Sequence, residues 1–498
     1  MVYGGKPSTG CHLCRKRKIK NSVTKAAPGA ATAPSTDGHV QAIAQRYIPA
    51  NNGQTPSDTG SLSDASSRMS SASSSSSSLD LISIPDATWL QRAICYFFDQ
   101  FTISPDCEGI GHMDYLPPLY AQLDPRTREP SGTVFRLSAP PLMHQARQRF
   151  GKALRSLREA LISPTQAAKD ETFAAMLILS LYEDISGERN GLHSSHTAGF
   201  EYLMKLRGQG QLEHQRGRDM FNFAYVQMHV GILALGDKPR DNLDSVLEGL
   251  SNSDDPTERL MLTTSKMRHL YVSMQSAPNP PDQAAIEGWI HSARDIDQEI
   301  CAWGMSLPDR WLPLVVYSAQ GEQLLTYHHG VHGVTWLYYR ALRILLQRQI
   351  IGLNRTLLSV LAQKSQHSPP DDPPWSSLQV DESSLEGIIK EMTADACRSI
   401  PFCLSQVDYL GRPLGPNHHR KNIRAAQCFG LVWPLWYILT NGMPSPTQAE
   451  QIISVLHHVG HSQGIHLALV LARKVEGIED LRRRMHGDLL IGLALGSS

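Results

Sequence analysis

Cys11 and Cys14 form a Cys-x2-Cys pair, and the next six residues, Arg15-Lys16-Arg17-Lys18-Ile19-Lys20, are basic at every position but one. Two thiolates at this spacing can occupy two corners of a tetrahedral zinc site, and cations directly after them suit a polyanion. A closed structural site needs four donors, however, and the next cysteine is Cys95. The zinc site is therefore incomplete as far as local sequence goes. The remaining cysteines, Cys95, Cys107, Cys301, Cys397, Cys403 and Cys428, are scattered singly, mostly in apolar surroundings. With no signal peptide at the start, they are expected to be buried thiols in a reducing compartment.

Histidines offer a second chemistry. His328, His329 and His332, the pair His418 and His419, and His457, His458 and His461 are clustered. A His at i, i+3 or i+4 shares a helix face, but no carboxylate or cysteine completes these sets at ligand spacing, so surface or core histidines are expected. His193 and His196 read as turn residues. Glu183 and Asp184 are adjacent, which on a helix points them in different directions. No HExxH, phosphate loop or GxSxG elbow occurs, and Gly208 and Gly210 follow a helical pattern instead of a strand. Catalytic residues are not found, and an enzyme is not expected.

The elements that carry these residues divide the chain unevenly. Lys6, Arg15, Lys16, Arg17, Lys18, Lys20 and Lys25 all precede the first acid, Asp37; removing these seven from 47 Lys and Arg leaves 40 against 47 acids. A basic arm thus precedes a mildly acidic body. Residues 22–84 are poor in large apolar groups and drift into the run Ser73–Ser78. They cannot bury enough surface to offset ordering entropy and read as a disordered linker.

From 85 to 498 apolar residues recur at helical spacing. The stripes are Trp89, Leu90, Ala93, Ile94, Phe97, Phe98 and Phe101; Leu142, Ala146, Phe150, Leu154, Leu157 and Leu161; Phe173, Met176, Leu177 and Leu181; Leu337, Ala341, Ile344 and Leu345; and Ile452, Val455, Leu456 and Val459. Two-residue alternation is nowhere sustained. "NPPD" at 279–282, "SPPDDPP" at 368–374 and "RPLGPN" at 412–417 punctuate the body. The expected fold is all-α, a large multi-helix domain of packed helical hairpins. The stretch Phe173–Gly208 reads as helix, polar turn, helix and glycine stop, without a second copy that would indicate a repeat array. The apolar run Phe429–Leu439 is short for a membrane span and holds Pro434, so no membrane is expected.

The block "GGKPSTGCHLCRKRKIK" resembles the start of the fungal binuclear zinc cluster family of transcription factors, whose pattern is Cys-x2-Cys-x6-Cys, a loop, and three more cysteines. Cys11 and Cys14 match the first two positions, and Asn21 stands where the third cysteine belongs. "MLILSLYEDISGERNGLHSSHTAGFEYLMKLRG" and "RAAQCFGLVWPLWYILTNG" look like parts of the helical regulatory domain that follows such clusters. The resemblance implies a partial zinc-cluster module at 1–21, the linker at 22–84 and the regulatory domain at 85–498. It also implies zinc as cofactor, nuclear localisation, and DNA, a second copy of the chain and the transcription machinery as partners. By position, Arg17 and Lys18 would read bases, with Arg15, Lys16 and Lys20 on phosphates.

The match stops at Lys20 and unrelated Ala/Pro/Ser sequence follows, the pattern of a missing segment and not of scattered decay. Either the natural protein has a full cluster, or this is a non-DNA-binding nuclear interaction or dimerisation protein derived from that family.

Overall fold

Helix signals in the sequence become fifteen α-helices and one short β-hairpin in the described residues of the computed structural model, which are 87–103, 113–122, 140–188, 196–235, 243–278, 280–365, 381–415 and 423–474. All fall within the unit Ser83–Ser498. The zinc-cluster remnant expected at 1–21 and the linker expected at 22–84 lie outside them. The all-α expectation holds for the body.

In chain order the helices are α1 (Ala87–Phe101), α2 (Leu116–Gln122), α3 (Pro140–Ile162), the single turn α4 (Pro164–Ala167), α5 (Asp170–Ser186), α6 (Thr197–Arg207) and α7 (Gln215–Leu235). A single turn, α8 (Asp244–Leu247), leads to α9 (Pro256–Ser276) and α10 (Gln283–Ser306). The hairpin β1 (Leu314–Tyr317) and β2 (Gln323–Thr326) precedes α11 (Gly330–Ser365), α12 (Glu382–Cys403), α13 (Ala425–Asn441), α14 (Pro446–Ser462) and α15 (His466–Lys474). No helix among the described residues is long and apolar enough to cross a membrane.

Side-chain caps set several helix starts. Asp255 accepts from Thr257 N and Glu258 N, with Pro256 at the first helical position of α9. Asp282, at the end of "NPPD", accepts from Ala285 N at 2.7 Å and opens α10. Ser445 and Gln448 form a reciprocal capping box ahead of α14. Gly187 ends α5 at φ 69°, a left-handed position that glycine takes without Cβ crowding. The predicted helix–turn–helix over Phe173–Gly208 is α5, α6 and the Gly208 stop.

Two helices organise the body. α11 has 36 residues, about 54 Å at 1.5 Å per residue, and packs on α9, α10, α12 and α13. α13 is apolar all round, and 15 of its 17 residues are buried, as a helix enclosed by α1, α11, α12, α14 and α15 must be. The predicted stripes from α5, α11 and α14 are wholly buried, as are Ile94, Phe97 and Phe101 of α1. The α3 stripe is covered less fully: Ala146 and Leu157 are buried, Phe150 and Leu161 partly so, and Leu154 is exposed at 38%.

The hairpin is a correction, since alternation was not recognised in the sequence. Leu314 pairs with Thr326 and Tyr317 with Gln323 in antiparallel register. Four residues per strand are too few for period-two alternation to register, and β2 is held by packing on α12 and by Thr326 Oγ1 donating to the Tyr409 carbonyl at 2.7 Å. The tight turn places Gly321 at φ 81°.

Candidate functional site: an apolar cavity with polar ends

Four helix faces that do not quite meet leave a cavity of about 260 Å³ between α7, α9, α11 and α13. The lining positions repeat at three- and four-residue steps, as one face of each helix must. On α7, Asp219, Asn222, Phe223, Val226, His229 and Val230 follow this spacing, and Tyr225 and Gln227 reach the cavity beside them. On α13, Ala426, Gly430, Trp433, Pro434 and Tyr437 line it. Ala341, Thr335 and Thr264 contribute further small side chains from α11 and α9, and these leave space that larger groups would fill. Phe223 stacks on Phe429 with centroids 6.4 Å apart, tying α7 to α13 at the wall. Met113 lines the cavity while holding φ 53°, a conformation that costs a non-glycine residue energy.

The polar groups sit along α7. Gln215 Nε2 donates to Asp219 Oδ1 at 2.9 Å, and the Asp114 side chain is hydrogen-bonded to Asp219. Burial above all, reinforced by the neighbouring carboxylates Asp114 and Glu258, raises the Asp219 carboxyl to about 7 against the effect of Gln215. Burial raises Asp114 as well, against the hydrogen bond to Asp219. Asn222 Nδ2 donates to Glu258 Oε1 at 3.3 Å, which fixes the amide's orientation, and Arg218 Nη1 donates to Glu258 Oε2 at 2.9 Å. Burial first, then the charge of Arg268, holds His229 down at about 3, so its ring is neutral.

Several buried side-chain polar atoms on residues lining this space have no hydrogen-bond partner among the described residues, the Tyr437 hydroxyl among them. Asn222 is 3% exposed and its Oδ1 has no hydrogen-bond partner; His229 is 7% exposed and its Nε2 has none. Gly430 lines the cavity four residues before Pro434, which has no N–H to give the Gly430 carbonyl.

None of the cysteines, basic residues, histidines or carboxylates singled out in the sequence lies here. Cys11, Cys14, Arg15, Lys16, Arg17, Lys18 and Lys20 are outside the described residues, as are His193, His418, His419 and Cys107. His332 is buried and stacks on Trp311 at 4.1 Å, His328 stacks on Tyr409, and His457 and His461 stack on each other along α14. Glu183 and Asp184 do diverge: Glu183 meets His196 Nε2 at 3.2 Å, while Asp184 accepts from Gln227 at 3.0 Å. His196, expected as a turn residue, is the buried N-cap of α6.

Cys95 corrects the expectation of buried thiols, because it lies on the solvent side of α1 and is exposed. Cys397, Cys403 and Cys428 are buried, which pushes Cys397 to about 11 and the other two to about 12. Cys301 is intermediate.

The sequence did carry a signal for the cavity. Asp219, Asn222 and His229 interrupt the apolar positions Phe223, Val226 and Val230 of α7, and Gly430 precedes Pro434 by one hydrogen-bond interval. Neither pattern points to a site until the helices are packed. No curated protein and no solved structure matches this chain. Residues 132–368, which run from α3 through α11 and supply three of the cavity's four walls, match the fungal specific transcription factor domain, a regulatory and non-enzymatic family.

Proposed function

We propose that the chain is a nuclear regulator of RNA polymerase II transcription, with the helical body as its regulatory domain and the basic arm as its contact with DNA. The observation that carries this reading is the match of residues 132–368 to the fungal specific transcription factor domain. The order of parts supports it, since a Cys-x2-Cys pair and a basic run precede the helical body.

Cys11 and Cys14 would supply two zinc ligands, and two thiolates do not close a tetrahedral site, so zinc does not fold this arm by itself. Arg15, Lys16, Arg17, Lys18 and Lys20 then act on phosphates without reading bases. Five phosphate contacts give a log–log salt slope of about −4 to −5. A second copy of the chain or the transcription machinery completes the assembly.

The test compares transcript profiles from cells lacking the gene, cells carrying the full chain, and cells carrying a chain with these five residues changed to Gln. Loss of the gene should alter a defined set of messages, and the Gln variant should reproduce that loss. An unchanged profile on gene loss defeats the reading. A Gln variant that restores normal transcripts while reaching the nucleus supports the other reading, an interaction protein that does not touch DNA. On purified duplexes, equal affinity for CGG-containing and scrambled DNA is expected.

A further inference from the structure

We infer that the outer face of α3 is a docking surface for an acidic amphipathic helix of a partner protein, which crosses α3 at Gly151. The inference concerns the helical body alone and goes beyond the proposed contact of the basic arm with DNA.

Helix α3 has two faces with different chemistry. Ala146, Phe150, Leu157 and Leu161 turn inward, where α3 packs on α5. On the opposite face Arg147, Gly151, Leu154, Arg158 and Ile162 follow one another at steps of three and four, with Arg155 alongside. That is the spacing by which one helix receives another. The charge is one-sided: Arg147, Arg149, Lys152, Arg155 and Arg158 stand against Glu159 alone, in a body where acids outnumber Lys and Arg. Glu188 engages Arg147, accepting from Nε at 2.8 Å. Lys152, Arg155 and Arg158 are exposed and form no ion pair among the described residues.

Gly151 distinguishes this face from a merely solvated one. It stands at the middle of α3, where glycine is less stable than alanine, yet a Cβ there would meet no atom within 4 Å. Packing inside the body therefore does not require a glycine at 151. A second helix laid over the seam does, because the missing Cβ lets two backbones approach closely. Gly288 and Gly387 are as open, but each lies near the start of its helix and has no unpaired Lys or Arg within one turn.

The same face selects the class of partner. Leu154 and Ile162 flank Arg158 and are 38% and 77% exposed. Duplex DNA would use the cations but gain nothing from these two side chains. An anionic membrane calls for a broad apolar face, and α3 has given its own to α5. A second copy of the chain would set basic face on basic face. An acidic helix with apolar residues at three- and four-residue steps meets the cations, the apolar pair and the glycine together.

The probe is a fluorescent three-heptad peptide with Leu at a and d and Glu at e and g. It is titrated by anisotropy into the full chain carrying Gln at the five arm positions, so that the arm's basic block is neutral. Saturable binding is expected, and a peptide of the same composition in shuffled order should bind at least about tenfold more weakly. Arg155→Glu combined with Arg158→Glu should weaken the amphipathic peptide at least about tenfold. Gly151→Leu should raise the unfolding midpoint and yet weaken the peptide several-fold, whereas a solvated face would show only the first effect. No saturable binding, equal binding of the shuffled peptide, or full affinity in Gly151→Leu would overturn the inference. So would a short DNA duplex or phosphatidylserine vesicles that bind this chain more tightly than the peptide and lose that binding in the charge-reversed variant.

Discussion

Gln451 of α14 donates Nε2 to the Cys397 carbonyl of α12 at 3.3 Å, the carbonyl that Pro401 leaves without its helical donor. The contact repairs a helix defect and joins two elements at once, because α12 and α14 pack together there. Gln451→Leu should cost about 1–2 kcal/mol in urea unfolding, the penalty of a part-buried carbonyl left unpaired. Pro401→Ala restores the N–H, so in that background the same change should cost half as much or less. Equal losses in both backgrounds would show that Gln451 acts through packing alone.

Asp219 makes stability depend on pH with an unusual sign. Its carboxyl is raised to about 7 by burial and by Asp114 and Glu258, whereas in the unfolded chain it titrates near 4. Between those values the native state holds a proton that the unfolded state has released, so this contribution is full below about pH 4 and is lost as pH rises to about 7. One proton corresponds to a slope of at most about 1.4 kcal/mol per pH unit. Arg218, paired with Glu258, is the cation nearest this group that the hydrogen bonds identify, and Tyr115 is held in its neutral form by burial. Asp219→Asn should flatten the stability profile across pH 4–7. An unchanged slope in that variant would place the titration elsewhere.

The sequence made the body legible because its signals were local and redundant. Helix α14 shows this: Ser445, Pro446 and Gln448 mark its start, and Ile452, Val455, Leu456 and Val459 its buried face, before any partner is known. The hairpin Leu314–Thr326 was not legible, because its strands are fixed by α12 and the Tyr409 carbonyl, more than 80 residues away. The cavity failed for a related reason. Asn222 and His229 are ordinary residues on an ordinary helix, and their significance is that the packed helices supply no partner among the described residues for Asn222 Oδ1 or His229 Nε2. Arg340 was equally silent: it is 2% exposed and serves Tyr327 Oη at 2.9 Å and Ser399 Oγ at 3.1 Å, residues drawn together only by the fold.

Gly430 also sets how closely α11 and α13 approach. A Cβ at this position would lie 2.8 Å from Val334 Cγ1, closer than carbon atoms tolerate. Gly430→Ala should therefore destabilise the protein by about 1–3 kcal/mol despite the better helix propensity of Ala. Val334→Ala removes the atom that is struck, so adding it to Gly430→Ala should recover part of the loss. A Gly430→Ala chain as stable as the parent would mean that the two helices separate freely at the cavity.

Arg343 of α11 and Asp297 of α10 form a two-pronged ion pair, Nε to Oδ1 at 2.9 Å and Nη2 to Oδ2 at 3.1 Å, with the Arg and Asp side chains 11% and 15% exposed. The guanidinium also lies 5.9 Å from the Tyr339 ring centroid, so its position is set from two sides. Burial on this scale makes the pair costly to break and less valuable to own, since attraction mainly offsets desolvation. Asp297→Ala should lose about 3–5 kcal/mol, because it strands a buried cation, whereas Arg343→Met with Asp297→Leu should lose much less. Arg343→Lys keeps the charge but cannot meet both carboxylate oxygens in one plane, and should fall between them. Urea unfolding of the four chains checks the order, and a double variant as unstable as Asp297→Ala would show that the pair's net contribution is large.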